Sequence, residues 1–152
     1  MSKKIEQIKN VRLFILDQIK DLSPKQLNKI PEGFNNNVIW NLSHIISAQQ
    51  SVCYVRANLP YVVEDKYFSS YQPSTKPEDF IDSSEIENIK ELFITSIETF
   101  EKDHKEDLFA NYTPWLAKPY GIKVSNIEDA TDFLMFHEGL HAGYVIALKH
   151  LL

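Results

Sequence analysis

His137 and His141 are the residues of this sequence whose type and spacing point most directly to chemistry. On a helix, side chains at i and i+4 lie one above the other on one face. Two neutral imidazoles so placed can converge on a single divalent cation. At roughly 100° per residue, Ala130, Phe133, Leu134, Leu140, Tyr144, Leu148 and Leu151 fall on the same stripe. A buried imidazole needs a partner for both ring nitrogens. A hydrogen-bonded polar pair at the mouth of a helix bundle satisfies that need, and so does a shared metal ion.

The run His137-Glu138-Gly139-Leu140-His141 also matches the His-Glu-x-x-His pattern of zinc peptidases, in which the glutamate is general base toward a zinc-bound water. Its surroundings argue against a peptidase. Only eleven residues follow His141, too few for a distant third ligand, and position 147 is Ala where the longer peptidase motif needs His. No edge strand is evident for a peptide to pair with.

The elements that must hold this pair read as helices. Only four glycines occur, and long apolar runs recur at helical period. The first helix is expected from about Lys3 to Asp21, with Ile5, Ile8, Arg12, Ile15, Ile19 and Leu22 on one face and Leu13 and Leu16 widening it. A second starts in Asn35-Asn36-Asn37, good N-cap residues, and runs to about Asn58. Its core side carries Leu42, Ile45, Ile46, Gln49, Val52 and Cys53; His44 sits at the edge, in line with Ala48 and Val55. Ser84-x-x-Glu87 and Ser125-x-x-Glu128 have the capping-box form and open the third and fourth helices. Residues 60–83 and 107–123 are long, irregular, aromatic-rich crossovers, the first expected to fold over one end of the bundle. The expected fold is all-α, a four-helix bundle in one domain spanning residues 1–152.

Bulk properties narrow the function. The net charge is −5 with no basic run, which gives no support for nucleic-acid or anionic-membrane binding. The one cysteine, Cys53, allows no intrachain disulfide and reads as a small core residue. Neither a signal segment nor a membrane span is evident, so the chain reads as soluble and cytoplasmic.

A third ligand has to come from upstream. His104 continues the third-helix stripe near its end and reads as structural or exposed; His150 lies at the chain end, away from the His137 stripe. His44 remains, on the apolar edge of the second helix. The runs Trp40-Asn41-Leu42-Ser43-His44-Ile45 and His137-Glu-Gly-Leu-His141-Ala-Gly143 resemble, in order and separation, the two ligand segments of the DinB/YfiT-like metalloenzymes. The resemblance covers nearly the whole chain. It departs at Tyr144, where many members carry Gln.

The resemblance implies a divalent ion, most often zinc or nickel, held by His44, His137 and His141 with open coordination positions. It further implies transfer chemistry in which a low-molecular-weight thiol attacks a small-molecule electrophile; activation of water for hydrolysis is the neighbouring alternative. A non-catalytic bundle whose metal serves stability or sensing also fits. Three imidazoles suit zinc, nickel, iron or cobalt.

Three catalytic candidates accompany the ligands. Asn41, one turn before His44, is expected in the pocket wall, and Tyr144 on the stripe close to the metal. Glu138, about 100° from His137, is expected to be exposed or packed at a helix flank. Trp40, Tyr71, Trp115, Tyr120 and Tyr144 are candidate pocket walls or bundle-end packing. On the other side of the last helix, Met135, Gly139, Ala142, Gly143 and Ile146 suggest close packing, against the first helix or in a two-fold homodimer.

Overall fold

The computed structural model describes residues 2–152. Four long helices dominate: α1 (Lys3–Ile19), α3 (Val38–Gln49), α5 (Ser83–Lys105) and α6 (Ile127–Lys149). Two short ones, α2 (Pro24–Asn28) and α4 (Asp65–Phe68), lie in the connections. The principal contacts run α1 to α6, α6 to α3, α3 to α5 and α5 to α1. The four helices therefore form a ring, with α1 diagonal to α3 and α5 diagonal to α6. The fold is all-α, as the sequence pattern predicts.

Side-chain caps set the starts of three of the four long helices. The Asn37 side chain accepts from the Trp40 N–H and opens α3. The caps of α5 and α6 are not the expected serines: Asp82 accepts from the Glu85 N–H, and Asn126 from the Asp129 N–H. Asp and Asn are strong N-cap acceptors; Asp82 stands two residues before the expected Ser84, and Asn126 one residue after the expected Ser125.

All twelve residues of α3 are buried. A helix buried over its whole circumference must be covered on every side. The first crossover supplies the missing cover, with α4 and the turn after it packed along α3 rather than over a bundle end.

Beyond Gln49 the same helix changes character. Gln50–Tyr54 is π-helical and Val55–Ala57 is a 3₁₀ turn, ended by Asn58 in the left-handed conformation at φ 59°. A π-turn inserts one residue relative to the α repeat. It rotates everything after it by about one residue, or 100°. Val55, expected on the His44 face, is consequently exposed, and Arg56 takes its place on that face.

The second crossover is not irregular throughout. β1 (Trp115–Ala117) pairs antiparallel with β2 (Ile122–Val124), and Gly121 turns the chain between them at φ 65°. The buried face of α6 also differs from the expected stripe. Ala130, Leu134, Glu138, Val145 and Leu148 face the core, whereas Leu140, Tyr144 and Leu151 are exposed, as is Leu13 on α1. Apolar residues occur almost all round α6, so their pattern fixes no unique phase.

Arg12 and Glu138 are completely buried and form a salt bridge of 2.6 Å. The Arg12 Nε–H is shared between both Glu138 oxygens, at 3.0 and 3.1 Å, and the guanidinium also donates to the Phe93 carbonyl and Ser96 hydroxyl of α5 and to the Gln49 side-chain oxygen of α3. Gln49 in turn donates to the Ser96 carbonyl. One guanidinium thus ties all four helices together, between an apolar cluster around Ile15, Leu42, Phe93 and Val145 and another around Ile8, Tyr54, Phe100 and Leu134.

Candidate metal centre

α3 and α6 are neighbours in the ring, and their facing sides bring His44 beside His137 and His141. One nitrogen from each ring lies within 4.8 Å of those of the other two. The ring centroids are 5.3 Å apart for His44 and His137, 4.9 Å for His44 and His141, and 4.5 Å for His137 and His141. All three histidines implicated by the sequence meet. His104 is elsewhere, its Nε2 against Glu128 at 2.8 Å, and His150 caps the end of α6.

Neighbouring groups orient the rings. The Tyr71 carbonyl lies 2.7 Å from His44 Nδ1. A carbonyl can only accept, so Nδ1 carries the proton and Nε2 keeps its lone pair. Asn41 does the same for His141, its side-chain oxygen accepting from Nδ1 at 2.8 Å. The Asn41 amide is itself fixed, because its NH₂ donates to the Asn37 carbonyl and the Asn36 side chain. Asn41 is fully buried and lies behind His141 rather than in the cavity wall. Fixed acceptors of this kind set tautomer and direction for metal-binding histidines. Trp40 stacks on His44 at 4.8 Å and 7°, clamping the ring from one side.

The electrostatics favour the form that binds metal. Burial pulls the His137 imidazole down to about 3, assisted by the nearby His141, His44 and Arg12. Burial and His44 bring His141 down to about 4, and burial lowers His44 against the opposing pull of the Tyr71 carbonyl. All three rings are therefore neutral near pH 7. His137 Nδ1 is buried with no hydrogen-bond partner among the described residues. A buried polar atom without a partner is costly. Three neutral imidazoles, two with oriented rings and one with an unsatisfied nitrogen, fit a divalent ion.

The centre opens on a cavity of about 580 Å³. Trp40, Trp115 and Tyr120 line it as expected, together with Phe133, Val52 and Arg56. Tyr71 contributes only its carbonyl to the centre and lines a different hollow of about 340 Å³. Tyr144 is outside the cavity wall and sets its ring edge-on to Phe34 at 5.7 Å. Near α6's outer surface its position is governed by helix phase, which the apolar pattern left free.

Glu138 differs most from expectation. It is not exposed but fully buried, about 100° round α6 from His137 and outside the cavity wall, with both oxygens engaged by Arg12. Burial raises its carboxyl while the Arg12 charge and hydrogen bonds oppose the rise. A carboxylate so committed cannot act as base on a water at the histidines, which removes the peptidase reading. The signal was present in Arg12, a charged residue amid the isoleucines of α1 that demanded a buried acid. Arg56 carried no such signal, since only the π-turn brings it to the cavity. Cys53 is buried and its thiol is pushed up by desolvation, as a core cysteine's is.

A family model of the DinB superfamily matches residues 12–145. The chain belongs to the DinB superfamily. That span takes in His44, His137 and His141 along with Arg12 and Glu138. No curated protein matches the sequence closely enough to count as a relative. Among the described residues, no helix of this DinB fold is long and apolar enough to cross a membrane.

Proposed function

We propose that His44, His137 and His141 hold one divalent ion, zinc or nickel, in a centre that activates a low-molecular-weight thiol for attack on a small electrophile. The observation that carries this reading is the meeting of three neutral imidazoles at the floor of a cavity of about 580 Å³. A purely structural metal is closed in by protein ligands, whereas catalytic sites retain an open position. Three protein donors beside a cavity match the second pattern.

When bound, such an ion lowers the pKa of a thiol or water that it coordinates. The chain's own residues supply the rest. Asn41 and the Tyr71 carbonyl fix two rings, Trp40 holds the first in place, and Trp115, Tyr120 and Phe133 provide an apolar wall for the electrophile. In the transfer, the thiol loses its proton and its sulfur forms a bond to carbon. The leaving group departs with the bonding electron pair. Among the described residues no Asp or Glu borders the cavity, so the proton goes to solvent.

The test is a set of transfer assays with several small thiols and an alkyl halide on zinc-loaded and nickel-loaded protein. Metal-dependent loss of free thiol with product formation is expected, absent in His44→Ala. Metal-dependent hydrolysis without thiol consumption would replace the thiol by water. A metal that alters neither reaction but raises thermal stability would leave a structural or sensing site.

A second copy of the chain is the proposed partner. Gly139 and Gly143 meet nothing within 4 Å where a Cβ would lie, so α1 does not pack against them as one reading of the sequence required. Phe136, Leu140 and Tyr144 are exposed beside them. A flat apolar face with room for close approach suits a two-fold contact between α6 helices.

A further inference from the structure

Arg56 is one of only two arginines in the sequence, and the two have opposite circumstances. Arg12 is consumed by the buried network. Arg56 reaches the cavity, and among the described residues no carboxylate pairs with it. Its guanidinium lies over the Trp115 ring at 5.0 Å from the centroid. Lys118 also borders the cavity, likewise without an acidic partner among the described residues. In a chain with 21 acidic and 16 basic residues, a cavity wall bearing two cations and no acid is a marked local inversion.

Arg56 is held in place by its neighbours. The π-turn turns it onto the histidine side, and the Tyr112 hydroxyl donates to the Val52 carbonyl within that turn at 2.7 Å. Trp115 donates through its indole N–H to the same hydroxyl at 3.0 Å, and the Thr113 N–H donates to the Arg56 carbonyl at 2.6 Å. The indole beneath the guanidinium and the backbone that carries it are thus tied together. A planar, pre-oriented fork of donors matches a carboxylate or another oxyanion.

We propose that Arg56, supported by Lys118, is an anion-binding subsite that makes this DinB protein selective for an acidic substrate, one whose carboxylate or similar oxyanion is carried on an apolar body. The subsite rests on the reading of the cavity as the reaction site. Its anion belongs either to the electrophile or to the thiol.

Two matched pairs of probes separate those sources: phenylacetate against phenylacetamide, and 3-mercaptopropionate against 2-mercaptoethanol. Each is titrated into metal-free and zinc-loaded protein, followed by tryptophan fluorescence, since both tryptophans border the cavity. Charge-assisted hydrogen bonds predict an acid at least about tenfold tighter than its neutral counterpart. That preference should vanish in Arg56→Gln, persist in part in Arg56→Lys, and shrink slightly in the more exposed Lys118→Gln. Preference for phenylacetate without metal assigns the anion to the electrophile; preference confined to the thiol acid with zinc assigns it to the thiol. Equal binding of acid and neutral probes, binding of neither acid, or a preference that survives Arg56→Gln in a variant of unchanged thermal stability would overturn the subsite. Failure of zinc uptake would refute the metal centre while leaving the phenylacetate comparison valid.

Discussion

His137 and Glu138 are adjacent on α6, both buried, and opposite in design. Glu138 is fully matched: Arg12 answers both oxygens, and the remaining guanidinium donors go to Phe93, Ser96 and Gln49. His137 has a buried nitrogen with no partner among the described residues and neighbours that repel its proton. One residue helps to hold four helices together. The next leaves an unmet demand at the floor of a cavity. A polar group whose hydrogen bonds are complete serves the fold, whereas one left incomplete beside open space is available to a ligand.

The largest effect should come from breaking the complete side. Arg12→Leu strands the Glu138 carboxylate in the core and is expected to cost about 3–5 kcal/mol of unfolding free energy, measurable by urea denaturation. The double variant Arg12→Leu/Glu138→Leu should recover much of that loss. If the single variant costs less than about 1 kcal/mol, the network is not a brace.

The incomplete side should respond in affinity rather than stability. Asn41→Ala removes the acceptor behind His141 and should weaken zinc binding about 10–100-fold, with a smaller loss in Asn41→Asp, which keeps an oxygen there. Competition with a chromogenic chelator reads both. Unchanged affinity in Asn41→Ala would mean that His141 needs no orientation.

Acid should act through the same rings. In metal-free protein, His137 and His141 have folded values of about 3 and 4, below the ordinary 6.5. The unfolded chain therefore takes up protons that the folded one refuses as pH falls below 6.5, so stability declines in that direction and levels only near the folded values. Between pH 6.5 and 5, where most carboxylates remain ionised, the loss from the two rings together should be about 3 kcal/mol. His137→Gln should flatten the slope, and an equally steep slope in that variant would assign it elsewhere.

The smallest expected effect concerns the outer face of α6. Sedimentation should show a dimer at micromolar concentration, converted to monomer by Leu140→Lys with metal content unchanged. A monomeric wild type would remove the two-fold contact.

Much of the centre was legible in the sequence because its information is local. The i, i+4 spacing of His137 and His141 fixes their shared face, and His44 follows from the motif around Trp40-Asn41. The parts that were not legible depend on helix phase. The sequence after α3 gives no cue to a π-turn at Gln50–Tyr54, so Val55 was expected where Arg56 stands. On α6 the apolar residues wrap the helix, which hid the burial of Glu138 and put Tyr144 on the cavity side. The hairpin had a readable sign in Pro119-Tyr120-Gly121 between Trp115-Leu116-Ala117 and Ile122-Lys123-Val124, masked by its three-residue strands. Arg12 marked the buried network, although nothing in its own helix named Glu138 as its partner.

The central claim is that three imidazoles share one cation. Elemental analysis of protein purified without an affinity tag, loaded with a slight excess of zinc or nickel and then dialysed against metal-free buffer, tests it most directly. The expected result is close to one metal ion per chain, falling to near zero in each of His44→Ala, His137→Ala and His141→Ala while the fold persists. Protein that takes up no divalent ion, or variants that retain it in full, would contradict the claim.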